Sequence, residues 1–255
     1  LIANADHPLK RMQYKRIQSQ HIDRNSFFIP FKKALITFNQ KDHDKLKPYI
    51  LEQNIPTIQK HIKASRLTYE QLTLFYLYRI YKYELDQNTF LNAIISLNPN
   101  VLDQARKLDH ETKDKAKHPL YGMPILLKDN IDAVPMASTA GAAAMAQNYP
   151  KESAFIVEQL RNKGALILGK VNMSEWAYYF CQECPVGYSA IGGQTLNPYG
   201  RGIFETGGSS SGSGVAVAAN YAVAAIGSET SGSILSPSGK NSLVGWKPTI
   251  GAVSR

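Results

Sequence analysis

Residues 207–238 read GGSSSGSGVAVAANYAVAAIGSETSGSILSPS, two Gly/Ser-rich loops bracketing a run of small apolar residues. Each loop presents backbone N–H groups and hydroxyls, and neither holds a side chain that is a base near neutral pH. A base must therefore come from elsewhere in the chain. The candidate is Lys128, which follows the apolar run Pro124-Ile125-Leu126-Leu127. A lysine with two serines is one way to build a nucleophile without histidine.

Composition sets the frame. A chain of 255 residues with 44% hydrophobic and 19% charged residues is long enough for one large α/β domain with a substantial core. The longest apolar runs are broken by Gly, Ser or Asn before membrane-spanning length, so no membrane span is expected. The net charge is +9, and much of the excess lies early, in Lys10, Arg11, Lys15, Arg16, Arg24, Lys32 and Lys33. Clustered cations can neutralise phosphates. No RNA-binding or helix-turn-helix signature accompanies these, so the reading is a solvated basic surface with no nucleic-acid partner. Cys181 and Cys184 form a single C-x-x-C pair, half of a zinc site that no second pair or nearby histidine completes. The pair reads as incidental thiols, with a local disulfide or a metal or redox role as alternatives. Both ends read as cut, since the chain starts at Leu1 and stops at Arg255 just after a strand-like segment. The compartment is not legible.

No internal repeat or low-complexity linker is present. Residues 1 to about 118 are polar, basic and helical in pattern, whereas 119–255 are rich in Gly, Ala, Ser and Val and alternate short strands with loops. Thr68 and Gln71 are spaced for a capping box, and Leu72, Phe75, Tyr76 and Ile80 follow at helical spacing. Those aromatics read as core-facing. A second helix is expected over Asn100–His110, a turn into a buried strand over Tyr121–Leu127, and an amphipathic helix over Ser153–Lys163, ended by Gly164. The strand Ala165–Leu168 then completes the α/β rhythm. Gly164–Lys170 matches G-x-x-x-x-G-K, but its intervening residues are strand formers and Val171 stands where a Ser/Thr is needed, so a phosphate loop is rejected.

His7, His21, His43, His61, His110 and His118 all precede the Ser-rich region and read as surface or core-edge residues. That bears on Gly208-Ser209-Ser210-Ser211-Gly212, which matches the G-x-S-x-G elbow with Ser210 at its centre. Such an elbow needs a histidine downstream and a strand just before it, and Arg201–Thr206 reads as loop. Lys128 could act as a base only if burial among apolar side chains keeps it neutral. A lone lysine after an apolar run is otherwise a strand-end residue pointing at water.

The ordered segments GMPILLKDNI (122–131), GKVNMSEW (169–176), GGQTLNP (192–198), GGSSSGS (207–213), GSETSGSI (227–234) and GWKPT (245–249) resemble the amidase signature family of serine hydrolases. They cover roughly half of the chain. Residues from about 68 to 110 fit the family's N-terminal helices more loosely, and residues 1–60 show no match. The resemblance implies an α/β fold with a mixed central sheet flanked by helices on both faces. It divides the chain into a basic helical extension over 1–66 and the N-terminal portion of the signature domain over 67–255, the C-terminal part being absent. It also implies a Ser–Ser–Lys triad: Ser233 as nucleophile, Ser209 as bridging serine on a cis peptide after Gly208, and Lys128 as base. Backbone N–H groups of Thr230, Ser231, Gly232 and Ser233 would form the oxyanion hole.

The sequence departs from the family pattern at Ser231, where paired glycines are usual, at Leu235, where many members have Arg, and at Ser238, where many have Ala. Larger residues at 231 suit peptide-amidase-like members. Family members are about twice as long, so the chain is expected to be a fragment of a cleaved enzyme or a shortened form, completed by a second polypeptide. The implied function is hydrolysis of a carboxamide C–N bond in a small-molecule or peptide substrate, with no metal or organic cofactor. Two other readings are an amidase subunit of a glutamyl- or aspartyl-tRNA amidotransferase and a catalytically inactive binding subunit.

Overall fold

Short polar residues set the helix starts of the N-terminal half. The structure, a computed structural model, describes residues 5–13, 20–111, 118–180 and 184–253. A 3-10 stretch over Arg24–Phe31 runs into α1 (Lys32–Thr37). Asn39 and Asp42 form a capping box at α2 (Gln40–Ile50), and Asn54 caps α3 (Ile55–Lys63). Thr68 and Gln71 make the expected box at α4 (Tyr69–Glu84). Leu72, Phe75, Tyr76 and Ile80 of α4 are buried, as their spacing requires, and Phe27, Phe31, Leu46, Ile50 and Ile58 join them in one core. His43 departs from expectation. It lies inside this core, stacked on Phe75 with ring centroids 4.4 Å apart, because α2 turns that face onto α4. Burial lowers its pKa to about 4 and keeps the imidazole neutral.

The strands follow. β1 (Ile94–Leu97) lies within the half that reads as helical; its apolar run is too short to show a period. α5 (Val101–His110), β2 (Pro124–Lys128), α6 (Phe155–Asn162) and β3 (Leu166–Val171) fall where the sequence places them. After a two-strand hairpin of β4 (Tyr188–Ser189) and β5 (Gly193–Gln194) come α7 (Ser211–Ala218), β6 (Ala224–Ile226) and α8 (Leu235–Lys240). The main sheet has the order β1-β3-β2-β6, with β2 parallel to β3 and β6, and β1 antiparallel to β3. It is the expected mixed sheet. Leu126 faces the core built with α4, α5 and α7, whereas Ile125 and Leu127 face Val157 and Leu160 of α6. Helices therefore cover both faces. Among the described residues, no helix is long and apolar enough to cross a membrane.

Two details of the sheet place the chemistry. The β2–β3 register shifts after Ile125 and Ile167, and beyond the shift Leu127 pairs with Lys170 and Lys128 with Val171. The side chains of Lys128 and Lys170 thus leave the sheet on opposite faces. β3 also runs through the would-be phosphate loop, which accords with rejecting it. At the start of α7, Gly212 donates its N–H to Asn172 O at 2.9 Å. A Cβ there would stand 2.5 Å from both the N and the O of Asn172. Gly212→Ala is expected to destabilise the fold by about 1–3 kcal/mol through overpacking against backbone. A lower urea midpoint at unchanged slope is the readout.

Candidate active site

Lys128 ends β2 and is fully buried. Its Nζ lies 2.7 Å from Ser209 Oγ and 3.0 Å from Ser228 O. Burial lowers its pKa to about 7, against the opposing pull of the Glu229 charge. A neutral amine here can give one N–H to the Ser228 carbonyl and accept the Ser209 hydroxyl proton on its lone pair.

Ser209 sits just before α7, fully buried, and the Gly208–Ser209 peptide is cis. Ser174 N–H donates to Ser209 O at 3.0 Å. Ser210, the centre of the G-x-S-x-G match, turns its Oγ to the backbone of Ser228, donating to the carbonyl at 3.2 Å and accepting the N–H at 3.3 Å. Ser228 Oγ in turn meets the Asn130 side-chain amide, accepting from Nδ2 at 3.0 Å. Ser211 Oγ donates to Gly207 O at 2.7 Å. Gly207 itself is at φ +65°, and a Cβ on it would meet Pro237 backbone at 2.7 Å, so only glycine fits.

Ser233 lies on the loop between β6 and α8, partly exposed. Its carbonyl accepts Ser210 N–H at 3.1 Å, which ties this loop to the other Gly/Ser loop. Glu229 Oε2 accepts the N–H groups of Ile234 at 2.7 Å and Leu235 at 3.0 Å. Burial works to raise the Glu229 pKa, but the donors Leu235, Ile234 and Gly232 outweigh it and hold the carboxyl below its usual range. The structure thus brings Lys128 and Ser209 into contact and seats Ser233 on the adjoining loop. Among the described residues, no hydrogen bond joins the Ser209 and Ser233 hydroxyls. Of the four candidate oxyanion donors, Gly232 turns its N–H to Glu229, while the N–H groups of Thr230, Ser231 and Ser233 have no acceptor among the described residues.

Sequence reasoning missed two further groups. Glu229 carried no local signal as an anchor. Lys170 and Asp129 are both fully buried, with Nζ 3.7 Å from Oδ1. Lys170 Nζ also donates to Ser138 Oγ at 2.9 Å, and Asp129 Oδ2 accepts Thr139 N–H at 3.1 Å, Gly141 N–H at 3.2 Å and the Thr139 hydroxyl. Cys184 is disulfide-bonded, against the incidental-thiol reading, and Cys181 lies outside the described residues. Among the described residues, no group of three or more His, Cys, Asp or Glu is placed to hold a metal ion.

The family model described as Amidase matches residues 71–255. The chain belongs to this amidase signature family. A probable amidase of Arabidopsis thaliana is 42% identical over 210 residues, which are 81% of this chain and 40% of that protein. The crystal structure of peptide amidase from Stenotrophomonas maltophilia superposes with a TM-score of 0.76 at 46% identity, over 80% of this chain and 42% of that one. A glutamyl-tRNA(Gln) amidotransferase subunit of Lawsonia intracellularis is 40% identical over 166 residues, 65% of this chain and 33% of that protein. The chain therefore spans about two fifths of the first two relatives and a third of the last.

The depressed pKa of Lys128 has a consequence for stability. The folded value is about 7, while an unfolded lysine titrates near its ordinary 10.5. Between these values the unfolded chain binds a proton that the folded chain lacks, so stability rises with pH across this window and the contribution is flat below it. Lys128→Met removes that slope. Urea unfolding at pH 7, 8 and 9 is expected to show the native chain gaining on the variant by up to about 1.4 kcal/mol per pH unit. A pH-independent difference would mean that the amine is not desolvated.

Proposed function

We propose that this chain carries the reacting groups of a carboxamide hydrolase in which Lys128, Ser209 and Ser233 act in series. The observation that carries the reading is the 2.7 Å contact between Ser209 Oγ and a buried amine whose pKa is lowered to about 7. Neutral Lys128 takes the Ser209 proton while Ser209 Oγ takes that of Ser233. Ser233 Oγ then attacks the amide carbon. Negative charge on the carbonyl oxygen is met by N–H groups of the 230–233 loop, each well-aimed donor contributing about 3 kcal/mol. The relay then runs backward, protonating the leaving amine, and water cleaves the acyl-enzyme by the same route.

The second link requires Ser233 Oγ to come within hydrogen-bond reach of Ser209 Oγ when substrate is bound. Catalytic hydrogen bonds commonly tighten only then. Gly232 is at φ +79° with nothing within 4 Å of a would-be Cβ, which leaves this loop room to adjust. The 46% identity to a peptide amidase favours a peptide C-terminal amide as substrate.

The working site is also completed by further polypeptide, continuous with this chain or separate. Three observations support this. Relatives are about twice as long. Among the described residues, nothing pairs with the second edge of β6. Beside that edge Val223, Ala225, Ile234, Leu243 and Val244 line a cleft of about 330 Å³, with Val244 100% and Trp246 78% exposed.

A fluorophosphonate probe tests the reading. The protein, with any co-purifying polypeptide, is expected to label at Ser233 by peptide mapping, and Lys128→Ala to slow labelling about 10²–10⁴-fold. No labelling would point to an inactive binding subunit. Labelling without hydrolysis of simple amides until other subunits are added would point instead to an amidotransferase component, which the 40% identity to one such protein makes the second reading.

A further inference from the structure

The sheet stops short of the buried amine. β2 and β6 pair as far as Leu127 and Ile226, so Lys128 and Ser228 lie beyond the last ladder contact. Ser228 is held there by side chains instead. Ser210 Oγ touches both its carbonyl and its N–H, at 3.2 and 3.3 Å, which is long for either kind of hydrogen bond. A tighter contact comes from Asn130. Its Nδ2 donates to Ser228 Oγ at 3.0 Å, and its Oδ1 accepts the same hydroxyl at 3.2 Å.

Asn130 sits on the same turn as that amine. Ile131 N–H donates to Lys128 O at 2.9 Å, and Asp129 N–H to Val171 O at 3.1 Å, so the backbone of this turn is fixed against β3. From it the Asn130 side chain crosses to the Ser228 hydroxyl, and the Ser228 carbonyl returns to Lys128 Nζ at 3.0 Å. The contacts close a ring that starts and ends at Lys128. The ring controls where the amine points. A neutral amine carries two N–H groups and one lone pair, and it turns about its Cε–Nζ bond. A carbonyl only accepts, so the position facing Ser228 O must hold an N–H. If that carbonyl drifts away, all three orientations open, and in two of them Ser209 Oγ meets an N–H rather than the lone pair. The Asn130–Ser228 contact is itself exposed, so its loss leaves no deeply buried polar group unpaired.

We propose that Asn130 is a positioning residue: through the Ser228 hydroxyl it steadies the Ser228 carbonyl, and that carbonyl aims the Lys128 lone pair at Ser209. This rests on the carboxamide-hydrolase reading, and two measurements keep the two apart. The first is a double-mutant cycle on hydrolysis of N-acetylphenylalaninamide, in the protein with any co-purifying polypeptide. Asn130→Ala and Ser228→Ala are each expected to lower kcat about tenfold with KM unchanged. Because both cut one link, the double variant is also expected to lose about tenfold rather than the product of the two. Independent, multiplying losses overturn the proposal, as does an unchanged kcat in Asn130→Ala. A raised KM with kcat intact makes Asn130 a substrate contact and overturns it too. Should Asn130→Ala lose the fold, Ser228→Ala cuts the same link from its other end.

The second measurement does not need turnover. The Cε NMR signal of Lys128 in lysine-labelled protein, assigned by its absence from Lys128→Met, gives the titration of the amine directly. A carbonyl that accepts from the amine favours its ammonium form, so loosening the carbonyl is expected to lower the Lys128 pKa by about 0.5 in either single variant and by no more in the double, with Glu229 left in place throughout. A titration that Asn130→Ala does not move overturns the proposal. A native chain that neither hydrolyses the amide nor labels with fluorophosphonate, yet shows this shared shift, keeps the positioning link and overturns the hydrolase reading.

Discussion

Burying Lys128 at the end of β2 strips water from its ammonium form, and its nearest partners are a hydroxyl and a carbonyl rather than a carboxylate. Lys170 on the neighbouring strand makes the comparison. It is just as buried, but it leaves the sheet on the other face and meets Asp129 at 3.7 Å. Burial pulls both lysines toward the neutral form; it is opposed at Lys170 by Asp129 within ion-pair distance, and at Lys128 by the charge of Glu229 without a direct ion pair. One residue type on adjoining strands is thereby given two fates, a counter-charged anchor on one face and an amine in contact with a serine hydroxyl on the other. The register shift in β3 divides them, because without it Lys170 and Lys128 would share a face.

The rest of the candidate site is arranged around that amine through small side chains. α7 begins with Ser211, Gly212, Ser213 and Gly214, all buried, so its first turn can lie directly on Asn172 and on the Pro237 carbonyl. A helix with this composition is poor by propensity alone. It is stabilised by tertiary contact: Gly212 N–H on Asn172 O, Ser211 Oγ on Gly207 O and Arg79 on the Ala219 carbonyl at its C-terminus. The same close approach brings Ser209 within reach of Lys128. Larger residues here would give a better helix and a site too wide for the contact.

Much of the fold was legible because its signals are local. Thr68 and Gln71 announce α4, the apolar run into Lys128 announces β2, and Gly164 marks the end of α6. β1 was not, since four residues show no period and its pairing with β3 spans the intervening helix α5. His43 was missed for a related reason: the polar sequence QKDHDKLK gives no sign that one face of α2 meets Phe75. For the candidate site, residue types and order pointed to Lys128, Ser209 and Ser233 through their resemblance to a family, and the contact between the first two is a matter of coordinates. The Lys170–Asp129 pair left no trace, because a buried ion pair between a strand and a loop is written in three dimensions only.

Glu229 ties these threads together. Its carboxylate receives the N–H groups that begin α8 and so fixes the far side of the Ser233 loop, while Ser210 fixes the near side through the Ser233 carbonyl. Its negative charge also acts on Lys128, raising a pKa that burial alone would lower further. A base must be neutral at working pH yet still hold a proton well, and a value near 7 satisfies both demands. The residue that shapes the Ser233 loop therefore also acts on the proton affinity of Lys128, the base of the proposed relay. A neutral residue at 229 would disturb both at once, with a looser loop and a weaker base, and these separate as a fall in activity and a downward shift of the acid limb of the pH profile.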